Sequence, residues 1–156
     1  MSVTILLGSG NDQEVAKKAE DVLKELGIPF ETYVASAHRT PDRVVELVKK
    51  SKADVFIAIA GLTNALAGVV GAITLKPVVG VPVSGKLNLD ALFSVTQLPP
   101  GMPIAAVGLD RGENAALLAG RIIALKDKDV AKKLEAWRLK QEKKVIEDSK
   151  KVEVSP

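Results

Sequence analysis

Short apolar runs alternate with amphipathic stretches along this chain. Residues 3–8, VTILLG, form a β-branched run closed by glycine, and residues 12–27, DQEVAKKAEDVLKELG, follow it. In that second stretch Val15, Ala19, Val22, Leu23 and Leu26 recur at helical spacing, which predicts a strand and then a helix stopped by Gly27. FETYVA (30–35) predicts a second strand, and Thr40 with Pro41 marks the start of a helix running to about Lys50, with the threonine as its cap. DVFIAIAG (54–61), PVVGVPV (77–83) and PIAAVGL (103–109) are continuous apolar runs, as expected for strands covered on both faces. Helical segments NALAGVVGAITL (64–75) and LDALFSVTQL (89–98) lie between them.

Five strands alternating with helices predict an α/β three-layer sandwich on a five-stranded parallel sheet, with the flavodoxin-like strand order. Residues 1–126 read as one catalytic α/β domain, and residues 127–156 as a C-terminal helix and tail. In that tail Val130, Leu134, Trp137, Gln141 and Val145 form a narrow apolar stripe on a charged helix. Such a stripe suits packing against another subunit, so oligomer contacts are expected there. ENAALLAGRIIAL (113–125) is too apolar all round for an ordinary surface helix, and reads as a central core helix or a subunit interface.

Composition narrows the chemistry. The 156 residues contain no cysteine and one histidine, which excludes disulfides, thiolate catalysis, cysteine-rich zinc sites and multi-histidine metal centres. No apolar run approaches the ~20 residues that span a bilayer, so no membrane association is expected, and the cytoplasm is the expected compartment. The formal net charge of +3 is a property of the tail: residues 126–151 hold ten basic and six acidic residues, and the rest of the chain is slightly acidic. Charges there are interspersed, and of the five aromatics in the chain only Trp137 stands among the tail's basic residues, which makes no stacking platform. Nucleic acid is therefore not an expected partner.

Ligands of open parallel sheets bind beyond the carboxyl ends of the strands. The candidates are accordingly GSGND after the first strand, SAHRTP after the second, GLTNALAG after the third, SGKLNLD after the fourth and DRGENAAL after the fifth. In GSGND, Gly8 and Gly10 permit close backbone approach, Ser9 offers a hydroxyl, and the next helix offers free N–H groups to an anion. Asp12 either caps that helix or accepts hydrogen bonds from sugar hydroxyls. The loop matches neither a Walker loop nor the three-glycine dinucleotide fingerprint. SAHRTP pairs His38, which exchanges protons near neutral pH, with Arg39, a fork for phosphate. Phosphate donors and sugar acceptors on adjacent strands point to a small phosphorylated nucleotide.

GSGND, SAHRTP, the IAG ending the third strand, KPVVGVPV, LFSVTQLPPGMPIAAVGL and ENAALLAGRIIAL together resemble the N5-carboxyaminoimidazole ribonucleotide mutase and aminoimidazole ribonucleotide carboxylase family of purine biosynthesis, over roughly residues 3 to 137. The resemblance implies an aminoimidazole ribonucleotide substrate held on the first two loops, and His38 as the acid/base while a carboxylate moves to ring carbon 4. It implies that Ser9 and Asp12 contact substrate and that Arg39 binds near the phosphate, with Gly8, Asn11, Ser36, Gly61 and Asn64 completing the binding set. No metal or organic cofactor is implied. Family members assemble into homo-octamers with sites near subunit boundaries, so a homo-octamer is expected.

The sequence departs from the family pattern at three places. Asn11 stands where a serine is usual, GLTNALAG is closer to the branch that uses carbon dioxide directly, and VPVSGKLNLDAL is shorter than the mutase pattern, so the covering loop is expected to close differently. SAHRTP, KPVVGVPV and QLPPGMP favour the mutase, which is the preferred reading; direct carboxylation is the alternative. A third reading, of another class, is an inactive nucleotide-binding or self-assembling scaffold, against which stands the retention of Ser9, Asp12, His38 and Arg39 together.

Overall fold

A computed structural model describes residues 1–86 and 88–152. Five parallel strands, β1 (Val3–Leu7), β2 (Phe30–Val34), β3 (Val55–Ala60), β4 (Val78–Pro82) and β5 (Ala105–Ala106), form one sheet in the order β2-β1-β3-β4-β5. This is the flavodoxin-like order. The helices are α1 (Gln13–Leu26), α2 (Pro41–Lys50), α3 (Ala65–Ile73), α4 (Asn88–Thr96), α5 (Gly112–Ala124) and α6 (Lys128–Val152).

The two-residue period of the strands splits the core into two layers. Val3, Ile5 and Leu7 of β1, Val55, Ile57 and Ile59 of β3, and Val79 and Val81 of β4 face α1 and α5. Leu6, Phe56, Ala58, Ala60 and Val78 face the other way, against Val44 and Val48 of α2, Leu66, Ala67 and Val70 of α3, and Val95 of α4. Burial on both faces explains why β3 and β4 read as unbroken apolar runs. Gly27 ends α1 in the left-handed conformation, φ +67°, and its N–H closes back on the Lys24 carbonyl.

The last apolar run behaves differently from the other two. Only Ala105 and Ala106 pair with β4, and both are exposed. Pro99, Pro100 and Pro103 supply no N–H donors on the approach, and β5 occupies the sheet edge, where a strand is covered on one side only. Thr40 also departs from expectation. It precedes α2, but its hydroxyl makes no cap; it accepts the Ser36 N–H at 2.9 Å and turns back to the Ser36 carbonyl at 3.3 Å, closing the loop before the helix.

α5 is a core helix of its own subunit. Ala115, Ala116, Ala119, Gly120 and Ile123 are buried in the layer that holds α1, and α6 covers its outer side. The tail stripe divides in the same way. Val130 is buried, and Leu134 and Trp137 pack on that layer, with Lys140 paired to Glu25 of α1 at 2.9 Å. Beyond them the helix continues to Val152 with Val145 and Ile146 exposed; residues 153–156 of the tail lie outside the described residues. The first half of the stripe thus contributes to the subunit's own core, because the small residues on one face of α5 leave room for large side chains to dock. Removing everything after Asp127 should therefore lower unfolding stability by on the order of 3 kcal/mol, from the apolar surface uncovered. Urea denaturation measures this; an unchanged midpoint would show that α6 adds nothing to the subunit.

Candidate active site

β1 connects to β2 on one side of the sheet, while β3 lies on the other side of β1. The crevice at this reversal lies between helices that leave on opposite faces, and it is the place where open α/β sheets bind ligands. A cleft of about 580 Å³ opens there, lined from four loops by Gly8, Ser9, Asn11 and Asp12, by Ser36, His38 and Arg39, by Gly61 and Asn64, and by Val83, Ser84 and Gly85. All nine residues singled out from the sequence line this one cleft.

The first loop is a single 3-10 turn, Gly10–Asp12, leading into α1. Gly8 is required by close approach: a Cβ there would lie 2.9 Å from the Ala60 Cβ. Asp12 does not cap α1. Its Oδ2 instead accepts the Ser9 N–H at 2.8 Å and the Ser9 hydroxyl at 3.1 Å, while the Ser9 Oγ accepts the Asn11 N–H at 3.2 Å. These bonds form a capping box around the turn. Asp12 is buried, and burial raises its pKa above the usual carboxyl value, against the opposing pull of the Ser9 hydroxyl, the Ser9 N–H and the Arg39 charge.

Arg39 joins the first loop to the second. Its Nη2 donates to the Gly8 carbonyl at 2.9 Å and its Nε to the Ser36 Oγ at 3.3 Å, and the Ser36 Oγ also accepts the Arg39 N–H at 3.2 Å. Other guanidinium donors stay available for an anion. His38 is exposed in the turn beside it, and its ring makes no hydrogen bond to a described residue.

Asn64 turns the third loop into α3 with φ +32°, a left-handed conformation that asparagine tolerates. It is buried, and its Nδ2 donates to the Val81 carbonyl at 3.1 Å, pinning the loop to β4. Its Oδ1 is buried with no hydrogen-bond partner among the described residues. Leu62, in the same turn, also has positive φ and stands exposed at the rim. Sequence reasoning named the fourth loop as rim but selected none of its residues, so Ser84 and Gly85 were missed; position after a strand was the only signal. The expected change in how this loop closes falls partly on Leu87, outside the described residues. Among the described residues no group of three or more His, Asp or Glu side chains could hold a metal ion, and no helix is long and apolar enough to cross a membrane.

A doubly wound sheet with a carboxylate, a guanidinium, hydroxyls and an imidazole at its switch point defines a class: an α/β enzyme with a polar substrate cleft. Comparison with known proteins carries this further. Residues 2–144 match the AIR carboxylase family model, and the chain belongs to that family. It is 58% identical over 151 residues to the N5-carboxyaminoimidazole ribonucleotide mutase of Methanocaldococcus jannaschii, covering 96% of each chain. It is 42% identical to the phosphoribosylaminoimidazole carboxylase of Saccharomyces cerevisiae, over 97% of this chain but 27% of that protein. The crystal structure of Treponema denticola PurE superposes with a TM-score of 0.88 at 33% identity, covering 97% of this chain and 98% of that one.

Proposed function

We propose that this chain is an N5-carboxyaminoimidazole ribonucleotide mutase of purine biosynthesis, moving the carboxylate from nitrogen to ring carbon 4. The observation that carries the reading is the convergence of His38, Arg39, Ser9 and Asp12, from two different loops, on one cleft at the switch point. In this reading Arg39 and Ser36 take the phosphate, and the Asp12 carboxylate accepts from ribose hydroxyls with Ser9 beside it. Gly8, Asn11, Gly61 and Asn64 shape the walls.

One imidazole then suffices for the proton traffic. As the N–C bond of the carbamate breaks, its electron pair stays on nitrogen, protonated His38 delivers a proton there, and carbon dioxide is released into the cleft. The electron-rich ring carbon attacks that carbon dioxide, a C–C bond forms, and neutral His38 takes the displaced ring proton. The protons cancel, so the net reaction is an isomerisation needing no cofactor. Apolar walls from Ala60, Leu66 and Val83 favour retention of carbon dioxide between the two steps.

Direct carboxylation by carbon dioxide is the second reading, favoured by the sequence of the GLTNALAG loop. The purified protein should be given, separately, the N-carboxylated ribonucleotide and aminoimidazole ribonucleotide with bicarbonate. Carbon-carboxylated product from the first alone supports the mutase, and product from the second alone supports the carboxylase. Product from neither supports an inactive scaffold.

The homo-octamer and the cytoplasmic location belong to the same proposal. Exposed Leu75, Phe93 and Leu89, with the open β5 edge, offer apolar surface for another copy of the chain. Light scattering reads the assembled mass.

Asp12 supplies a prediction of opposite signs. Its raised pKa means that the folded chain holds the proton more tightly than the unfolded one, so this group's contribution to stability is full below the ordinary value and is lost as pH rises through the raised value. Asp12→Asn, which mimics the protonated acid and keeps an acceptor for Ser9, should raise Tm at neutral pH while lowering ribonucleotide affinity about tenfold. Calorimetry measures both; a lowered Tm would refute the stability half.

A further inference from the structure

Asp110 lies outside the cleft lining, in the turn between β5 and α5, and it is one of three described non-glycine residues with positive φ, +59°. Its backbone and side chain both reach β4. The Asp110 N–H donates to the Pro82 carbonyl at 2.9 Å, and its Oδ1 accepts the Ser84 N–H at 2.8 Å. Its own carbonyl accepts from Lys18 Nζ of α1 at 3.2 Å. Three elements thus meet at one residue held in a conformation that L side chains rarely adopt.

The geometry gives this arrangement a purpose. β4 ends at Pro82, and the sheet still holds Val83, whose N–H donates to the Ala60 carbonyl at 2.9 Å. At the next residue the acceptor is no longer a neighbouring strand but the Asp110 carboxylate. Ser84 and Gly85 form the wall of the cleft at β4, whereas His38 and Arg39 follow β2. Three inter-strand steps, roughly 14 Å, separate those strands. The far wall is therefore set by a hydrogen bond from outside the cleft.

We infer that Asp110 is a positioning residue: its carboxylate holds the Ser84 wall in the substrate-ready place, so that binding need not order it. The inference rests on the ribonucleotide reading above for the ligand, and on the Ser84 bond alone for the tether. A preordered wall lowers the cost of binding rather than the barrier to chemistry, and its loss should raise KM while leaving kcat in place.

Two variants separate side chain from backbone. Asp110→Gly keeps the left-handed turn and removes the acceptor; Asp110→Asn keeps both. The glycine variant should raise KM for the ribonucleotide about tenfold with kcat little changed, and its Ser84 amide should exchange with deuterium faster in the free enzyme. The asparagine variant should restore both KM and slow exchange. A fall in kcat at unchanged KM would indicate lost folded enzyme and overturn the inference, as would equal defects in the two variants. If neither ribonucleotide is converted by the unaltered protein, the functional reading fails. Ser84 exchange still decides the tether: faster in the glycine variant alone upholds it, and unchanged in both overturns it.

Discussion

His38→Asn is expected to lower turnover at least ~10²-fold while leaving the fold and substrate affinity in place, the scale on which a positioned acid/base contributes. The imidazole is exposed, lies in a turn and makes no hydrogen bond to a described residue, so its removal takes nothing from the core. Asparagine occupies similar space and offers hydrogen bonds, but cannot carry a proton between nitrogen and carbon. Single-turnover rates with the N-carboxylated ribonucleotide, set beside calorimetric affinity, make the measurement. A wild-type rate would remove His38 from the chemistry, and no other histidine exists to replace it.

Arg39→Ala has the second largest expected effect, on binding. Charge-assisted bonds to phosphate place the loss of ribonucleotide affinity between about 10- and 100-fold, with little loss for the dephosphorylated nucleoside. Arg39 also ties the Gly8 carbonyl to Ser36, and a purely architectural role would weaken both ligands alike. Lysine at this position keeps the charge but loses the planar fork, and should fall between the two. Titration of each variant with nucleotide and nucleoside distinguishes the roles; equal losses would mean that Arg39 does not read phosphate.

Much of this arrangement was legible in the sequence because it is local. The apolar runs of β1, β3 and β4 and the helical period of α1 depend on neighbours a few residues away, and the rule that ligands lie past the strand ends then selects the loops. Residues whose roles depend on distant partners were not legible. Nothing near Asp110 announces that its carboxylate meets Ser84, because the fold alone brings them together. Thr40 carried a correct signal for where α2 begins and a wrong one for its bond, since Ser36 offers its hydroxyl a nearer partner than the helix does. β5 was overestimated because an edge strand and a buried one share the same composition, and only pairing tells them apart. The first half of the tail stripe covers α5, whose small side chains become a groove only after folding, so the spacing of the stripe does not announce this partner.

The packing of α6 has an optical consequence. Trp137 is the only tryptophan in the chain, and it lies against the layer of α1 and α5 rather than in the cleft. Intrinsic emission from this protein therefore monitors whether the terminal helix is seated and is nearly blind to ligand. A denaturation curve followed by emission and one followed by far-ultraviolet dichroism observe different events, the first the departure of one helix, the second the loss of the sheet and its five other helices. Where the two midpoints separate, the gap measures how far α6 unseats ahead of the rest.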